Sequence, residues 1–116
     1  MHDDVIDPEF GLDTLAEDGR ALVRVRGEID LATAPALRQA VQELFDGPLT
    51  PGLITLDLSA VSVIDSTGLS MVVALHQQAR SRGAELVVGS PSSSVLRILE
   101  LTGLRSIIPV EDVVQH

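Results

Sequence analysis

The sequence predicts an α/β fold, in which helices pack against a mixed, mostly parallel β-sheet of four to five strands. Segments with the alternating pattern of strands take turns with segments whose apolar residues recur at helical spacing, and this order implies crossover connections between parallel strands. At the start, the turn signal Asp18-Gly19 joins two strand patterns directly, which is typical of an antiparallel hairpin. The predicted order is β-β-α-β-α-β-α-β.

The hairpin is predicted from two alternating segments. The first begins at Phe10 and places Phe10, Leu12 and Thr14 on one face. The second, residues 20–27, alternates valine with arginine, which predicts one buried and one solvated face.

The first helix is predicted after this hairpin. Thr33 is placed to cap its start, Pro35 suits the first turn, and Asp46-Gly47-Pro48 supplies the stop. Its apolar residues share one helical stripe: Leu37, Ala40, Val41, Leu44 and Phe45.

The second half of the chain alternates strands and helices. A strand over residues 52–59 leads through residues 61–64 into a polar stretch, and a broad helical face follows until residues 80–83. The next strand covers residues 84–89. The remaining elements are a helix within residues 90–104, with serine caps and a glycine stop, and a strand over residues 106–110.

The composition is that of one folded domain that lacks the residues several enzyme classes require. In a chain of 116 residues, 45% of them hydrophobic, we expect a flexible tail over residues 1–9 and a single domain over residues 10–116. There is no Cys, and all eight basic residues are Arg, so thiol nucleophiles, disulfides, Schiff-base lysines and phosphate-loop lysines are excluded.

The charge balance predicts which partners the protein avoids. The net charge of −9, with scattered arginines, opposes direct nucleic-acid binding, which needs a basic patch facing the phosphates. No leader pattern and no apolar run of about 18 residues is present, so we expect a cytoplasmic protein without a membrane partner.

The polar stretch Asp65-Ser66-Thr67-Gly68 interrupts an apolar region at the predicted end of a strand and start of a helix. Open α/β folds place their sites at this carboxyl edge, and a helix start favours an anion such as a phosphoryl group on Ser66 or Thr67. Asp, Ser and Thr are also good helix caps, so capping alone explains the same residues. The local pattern leaves both readings open.

Other candidate sites are weaker. The stretch is not G-x-S-x-G, and no histidine stands at a plausible spacing to act as its base; His76 is interpreted as a packed side chain rather than a ligand. Asp57 and Asp65 have no fixed separation as an acid/base pair. No metal-ligand cluster is visible. Four serines are interpreted as a loop and helix cap: Ser90, Ser92, Ser93 and Ser94.

Three segments together resemble the STAS domain of anti-sigma factor antagonists, which are bacterial switch proteins. They are GEIDLATAPALRQAV at residues 27–41, LDLSAVSVIDSTGLSMVV at 56–73 and GAELVVGSPSSSVLRILELTGL at 83–104. The resemblance implies that the fold is STAS-like. One departure is Ser70, where the family often has Gly or Ala.

The resemblance implies a function that requires neither catalysis nor a cofactor. The unphosphorylated family member binds an anti-sigma factor that is also an ATP-dependent serine kinase, which frees a sigma factor. The kinase phosphorylates the serine, here Ser66 or alternatively Thr67, and ends binding, and a PP2C-type phosphatase restores it. The implied partner-binding residues are Asp30, Asp65, Ser66, Thr67, Gly68 and Leu69. The alternative is a STAS accessory subunit of a transporter or a stress-sensing complex.

Overall fold

A five-stranded sheet with the strand order β1-β2-β3-β4-β5 forms the centre of the computed structural model, which describes residues 10–48 and 50–112. β1 pairs antiparallel with β2, and every other neighbouring pair is parallel. This confirms the predicted mixed, mostly parallel sheet. The strands are β1 (Gly11–Glu17), β2 (Arg20–Ile29), β3 (Leu53–Ile64), β4 (Glu85–Gly89) and β5 (Val110–Glu111).

Three α-helices follow the predicted order: α1 (Ala34–Asp46), α2 (Ser66–Ser81) and α3 (Ser93–Leu101). In α1 the predicted apolar stripe faces the core, because Leu37, Val41 and Phe45 are all buried. Among the helices of residues 10–48 and 50–112, none has both the length and the apolar character that a membrane crossing needs. The predicted tail over residues 1–9 lies outside the described residues.

The hairpin forms at the predicted turn. Asp18 and Gly19 both have positive φ angles, 54° and 78°, as a two-residue hairpin loop requires, and Glu17 pairs with Arg20. Phe10 and Leu12 pack against the core, whereas Thr14 is exposed. The turn therefore sets the register that carries valines of β2 into the core.

One face of the sheet forms the core. Val23, Leu56 and Val88 lie side by side on β2, β3 and β4, and all three are fully buried in the same cluster as residues of all three helices. The opposite face carries Arg24 and Asp57, which are direct neighbours on β2 and β3. One face of the sheet is thus apolar and the other is partly charged, as the alternation in β2 predicts.

Two local predictions were wrong. A strand was predicted over residues 106–110, but a 3-10 helix covers Leu104–Ser106 and β5 begins only at Val110. The amides of Ile107 and Ile108 donate to the Leu104 carbonyl, so local turn bonds satisfy the backbone that a strand would have used. Thr33 stands at the N-cap position of α1, but its side chain does not cap the helix.

Candidate functional site

The end of β3 is shaped by two irregularities. The pairing with β2 shifts between Arg24↔Asp57 and Arg26↔Ala60, and again between Gly27↔Val61 and Glu28↔Val63, so β3 contains one extra residue at each step. The buried hydrophobic residues of β3 therefore change from every second to every third position: Ile54, Leu56, Leu58, Val61 and Ile64. These bulges keep the strand anchored in the core up to its last residue.

The ends of β2 and β3 bring two acidic residues to the same edge of the sheet. Ile29 pairs with Ile64, and the Asp65 amide donates to the Ile29 carbonyl at 3.1 Å. Neighbouring strands lie about 4.8 Å apart. Asp30 and Asp65, which follow the paired isoleucines, thus emerge side by side at the carboxyl edge.

Asp65 is the N-cap of α2. Its backbone is extended, and its Oδ1 accepts a hydrogen bond from the Gly68 amide at 2.8 Å. This satisfies one of the free N–H groups at the helix start. The capping interpretation therefore holds for Asp65, which is an exposed residue.

The two hydroxyl residues after the cap differ in exposure. Ser66 is the first residue of α2 and is exposed, whereas Thr67 is half-buried. Within the described residues, neither hydroxyl takes part in a hydrogen bond. Ser66 therefore presents the more accessible hydroxyl of the pair, next to a helix start that favours negative charge.

Gly68 and Leu69 face inward. A Cβ atom on Gly68 would lie 2.5 Å from the Ile29 carbonyl oxygen and 2.7 Å from the Ile29 Cγ2 atom, so only glycine lets α2 begin this close to β2. Leu69 is half-buried and packs against the core. Both residues thus lie beneath the exposed Asp65 and Ser66 and hold the start of α2 in position.

Asp30 organises the turn between β2 and α1. Its Oδ1 accepts from the amides of Ala32 at 3.0 Å and Thr33 at 3.1 Å. The Thr33 hydroxyl accepts from the Asp30 amide at 2.9 Å and donates to the Glu28 carbonyl at 2.7 Å. The role of Thr33 in fixing this turn was missed, because the sequence pattern suggested a helix cap.

Asp57 is separate from this site. It is fully buried and accepts from the Arg24 Nε at 3.2 Å and from the Ser59 amide at 3.0 Å. Burial by itself would raise the pKa of Asp57, but the hydrogen bonds from Ser59 and the Arg24 guanidinium outweigh it and hold the pKa below its ordinary value. Asp57 is thus engaged on the sheet face, while Asp65 is engaged as a cap.

His76 and the serine cluster have structural contacts. His76 is buried, with its Nδ1 3.1 Å from the Leu86 carbonyl. No group of His, Cys, Asp and Glu in residues 10–48 and 50–112 is arranged to hold a metal ion.

Ser92 caps α3 by accepting from the Val95 amide at 3.4 Å, and its Oγ also donates to the Val61 carbonyl at 2.6 Å. The cap was predicted, but the bond to β3 was not, because it depends on the tertiary fold.

Comparisons with known proteins place this geometry in a family. The family model described as the STAS domain matches residues 12–116. The anti-sigma-B factor antagonist of Listeria monocytogenes is 39% identical over 90 residues, which cover 77% of this chain and 76% of that protein. The anti-sigma-B factor antagonist of Bacillus subtilis is 29% identical over 101 residues, covering 87% and 90%.

Solved structures agree with this match. The crystal structure of an anti-sigma factor antagonist from Mycobacterium paratuberculosis superposes with a TM-score of 0.78 at 31% identity, covering 89% of this chain and 86% of that one. The match spans the elements that build the site, and the predicted STAS-like fold is confirmed. The chain therefore belongs to the STAS domain family.

Proposed function

We propose that the chain is an anti-sigma factor antagonist whose unphosphorylated form binds an anti-sigma factor that is also a serine kinase. Binding sequesters this kinase and frees a sigma factor. Relatives named as anti-sigma factor antagonists support the class of partner. The observation that carries the proposal is the exposed Ser66 hydroxyl at the start of α2, between the cap Asp65 and the buried Gly68.

Phosphorylation of Ser66 is the proposed switch. The Ser66 Oγ attacks the γ-phosphorus of ATP held by the kinase, a new O–P bond forms, ADP leaves, and the hydroxyl proton passes to a base of the kinase. A PP2C-type phosphatase reverses the state by hydrolysing the phosphoserine to serine and inorganic phosphate. In both reactions the chain is the substrate and supplies no catalytic group.

The fold tolerates this modification, but the surface changes. A phosphoryl group adds about −1.5 to −2 charges, which the start of α2 favours. Asp30 and Asp65 emerge from the adjacent strand ends. Two like unit charges ~7 Å apart at an effective dielectric of ~20 repel by roughly 2 kcal/mol, which is more than tenfold in affinity. Desolvating the phosphate in an interface adds to this cost.

The experiment titrates each anti-sigma factor of the source genome into the purified chain and locates phosphate after incubation with ATP. We expect one of them to bind the unphosphorylated chain and to phosphorylate the wild type and Thr67→Ala, but not Ser66→Ala. Ser66→Asp, which leaves the Asp65 cap in place and adds a negative charge in the first turn of α2, where the helix favours it, should bind at least about tenfold more weakly. Phosphate on Ser66→Ala would move the switch to Thr67.

The absence of binding to every anti-sigma factor would refute the proposal. Retention of the chain by a membrane transporter under the same conditions would favour the accessory-subunit alternative. The proposal also places the chain in the cytoplasm, without a nucleic-acid or membrane partner.

A further inference from the structure

Large apolar side chains are exposed at the candidate site. Among the described residues, five large hydrophobic side chains are substantially exposed: Leu15, Leu31, Val63, Leu101 and Ile107. Leu31 directly follows Asp30, and Val63 lies two residues before Asp65. The other three belong to β1, the end of α3 and the segment after the 3-10 helix. Two of the five therefore lie near the paired ends of β2 and β3: Leu31 in the turn after β2, and Val63 on β3.

Leu31 is held on a fixed turn. Leu31 is 74% exposed. The turn around it is closed by the bonds from Ala32 and Thr33 to the Asp30 carboxylate and by the bond from the Ala34 amide to the Asp30 carbonyl at 2.8 Å. A group on a backbone that is already ordered loses less entropy on binding, so Leu31 is suited to be an anchor.

Val63 is exposed by the second bulge of β3. The bulge places Ser62 and Val63 together between the buried residues Val61 and Ile64, and Val63 pairs with Glu28. Val63 is 47% exposed. Without the extra residue, strict alternation from Val61 would turn Val63 toward the core. The bulge thus puts an apolar side chain on the surface beside the strand end that carries Asp65.

The two chain segments that carry Leu31 and Val63 are acidic. Residues 27–33 and 59–70 contain three carboxylates, Glu28, Asp30 and Asp65, and no arginine or lysine. An interface with an apolar centre and a charged rim is complemented by a partner of the opposite rim charge. A second copy of this chain, at a net charge of −9, would instead oppose acid with acid.

We propose that Leu31 and Val63 form the apolar centre of the surface that binds the anti-sigma factor, and that this partner presents an apolar pocket rimmed by Arg or Lys side chains. This inference rests on the proposed function and deepens it, since it assigns affinity to residues other than the switch serine. Ser66 then decides whether binding occurs, and the two apolar residues decide how tight it is.

The test uses the anti-sigma factor that binds the wild-type chain, titrated into Leu31→Ala, Val63→Ala and Leu101→Ala. Leu101 is the matched control, because it is also 74% exposed but lies at the end of α3. We expect Leu31→Ala to weaken binding roughly tenfold to fiftyfold and Val63→Ala about threefold to tenfold. Leu101→Ala should change the affinity by less than about twofold, and added salt should weaken binding by every variant.

Each outcome decides between the proposals. If no anti-sigma factor binds the wild-type chain, the proposed function fails together with this inference. If the wild type binds and Leu31→Ala binds equally well, or Leu101→Ala loses as much, only the apolar centre is refuted. Binding that is insensitive to salt would refute the basic rim. A dimer that Leu31→Ala abolishes would assign the surface to a second copy.

Discussion

At the residue scale, the accessibility of Ser66 depends on a buried neighbour, Gly68, which lies two residues further along α2. Asp65 caps α2 through the Gly68 amide, and Gly68 in turn lies against the Ile29 carbonyl. The amide of Asp65 donates to that same carbonyl. One carbonyl oxygen of β2 therefore sets both the position of the cap and the distance at which the helix begins.

Gly68→Ala tests this packing. Alanine favours a helix by about 1 kcal/mol over glycine, but its Cβ would meet backbone at 2.5 Å, which cannot turn away as a flexible side chain could. We expect the free energy of unfolding to fall by about 1–3 kcal/mol, measured by denaturant titration. The control is Gly52→Ala, whose Cβ meets its nearest atom at 3.8 Å and should change stability by less than about 0.5 kcal/mol. Equal stability of Gly68→Ala and the wild type would show that α2 can shift freely.

At the scale of the elements, the sequence predicted the repeating parts and missed the irregular ones. The Asp18-Gly19 turn and the stripe of α1 follow from local chemistry, so their positions were predicted correctly. The bulges of β3 could not be predicted, because the pattern from Ser59 to Ile64 has an apolar residue in either register until β2 selects one. The same holds for the fit of Gly68, which depends on how α2 crosses β2.

The prediction of the final strand was wrong for a related reason. Residues 106–110 contain two isoleucines and a valine, which favour a strand. The structure instead turns at Gly103, which has a φ of 77°, and Ile107 and Ile108 bond back to Leu104. Pro109 has no amide to donate to a neighbouring strand, although its carbonyl accepts from the Val88 amide at 2.9 Å, and the first paired residue of β5 is Val110.

Ser92 connects the start of α3 to the part of β3 that no longer pairs with β4. The pairing of β3 with β4 ends at Asp57↔Gly89, and beyond it the Ser92 hydroxyl donates to the Val61 carbonyl. We expect Ser92→Ala to cost about 1–2 kcal/mol, because the α3 cap and this bond are both lost. Amide hydrogen exchange should accelerate more in residues 59–64 than in β2. Ser93→Ala, an exposed neighbour, is the control; equal exchange rates in the two variants would contradict the role of Ser92.

At the scale of the whole molecule, the sheet separates an apolar core from a face with charged pairs. Two pairs on this face differ in burial: the Asp57 side chain is fully buried beside a partly exposed Arg24, whereas Asp13 and Arg26 are both exposed. Exposed pairs contribute at most about 1 kcal/mol, because water and salt screen them. Acid stability of the fold should therefore depend on Asp57 far more than on Asp13.

The direction of this pH dependence follows from the pKa of Asp57, which its hydrogen bonds hold below the ordinary value. An unfolded Asp titrates near 3.9, so the stabilisation is fully present above about pH 4 to 5 and is lost as the pH falls through the lower, folded pKa. Asp57→Asn keeps an oxygen for the Ser59 amide but removes the charge that Arg24 faces. We expect it to lower the free energy of unfolding by about 1–3 kcal/mol near neutral pH.

That difference between Asp57→Asn and the wild type should shrink as the pH falls below about 4, because protonation then removes the same charge from the wild type. Urea unfolding at a series of pH values measures it, with Asp13→Asn as the control. If the difference stayed constant into acid, the loss in Asp57→Asn would come from packing and not from the carboxylate. If it shrank, the ion pair between Asp57 and Arg24 would link the acid stability of the sheet to β3, the strand whose end leads through Asp65 into Ser66.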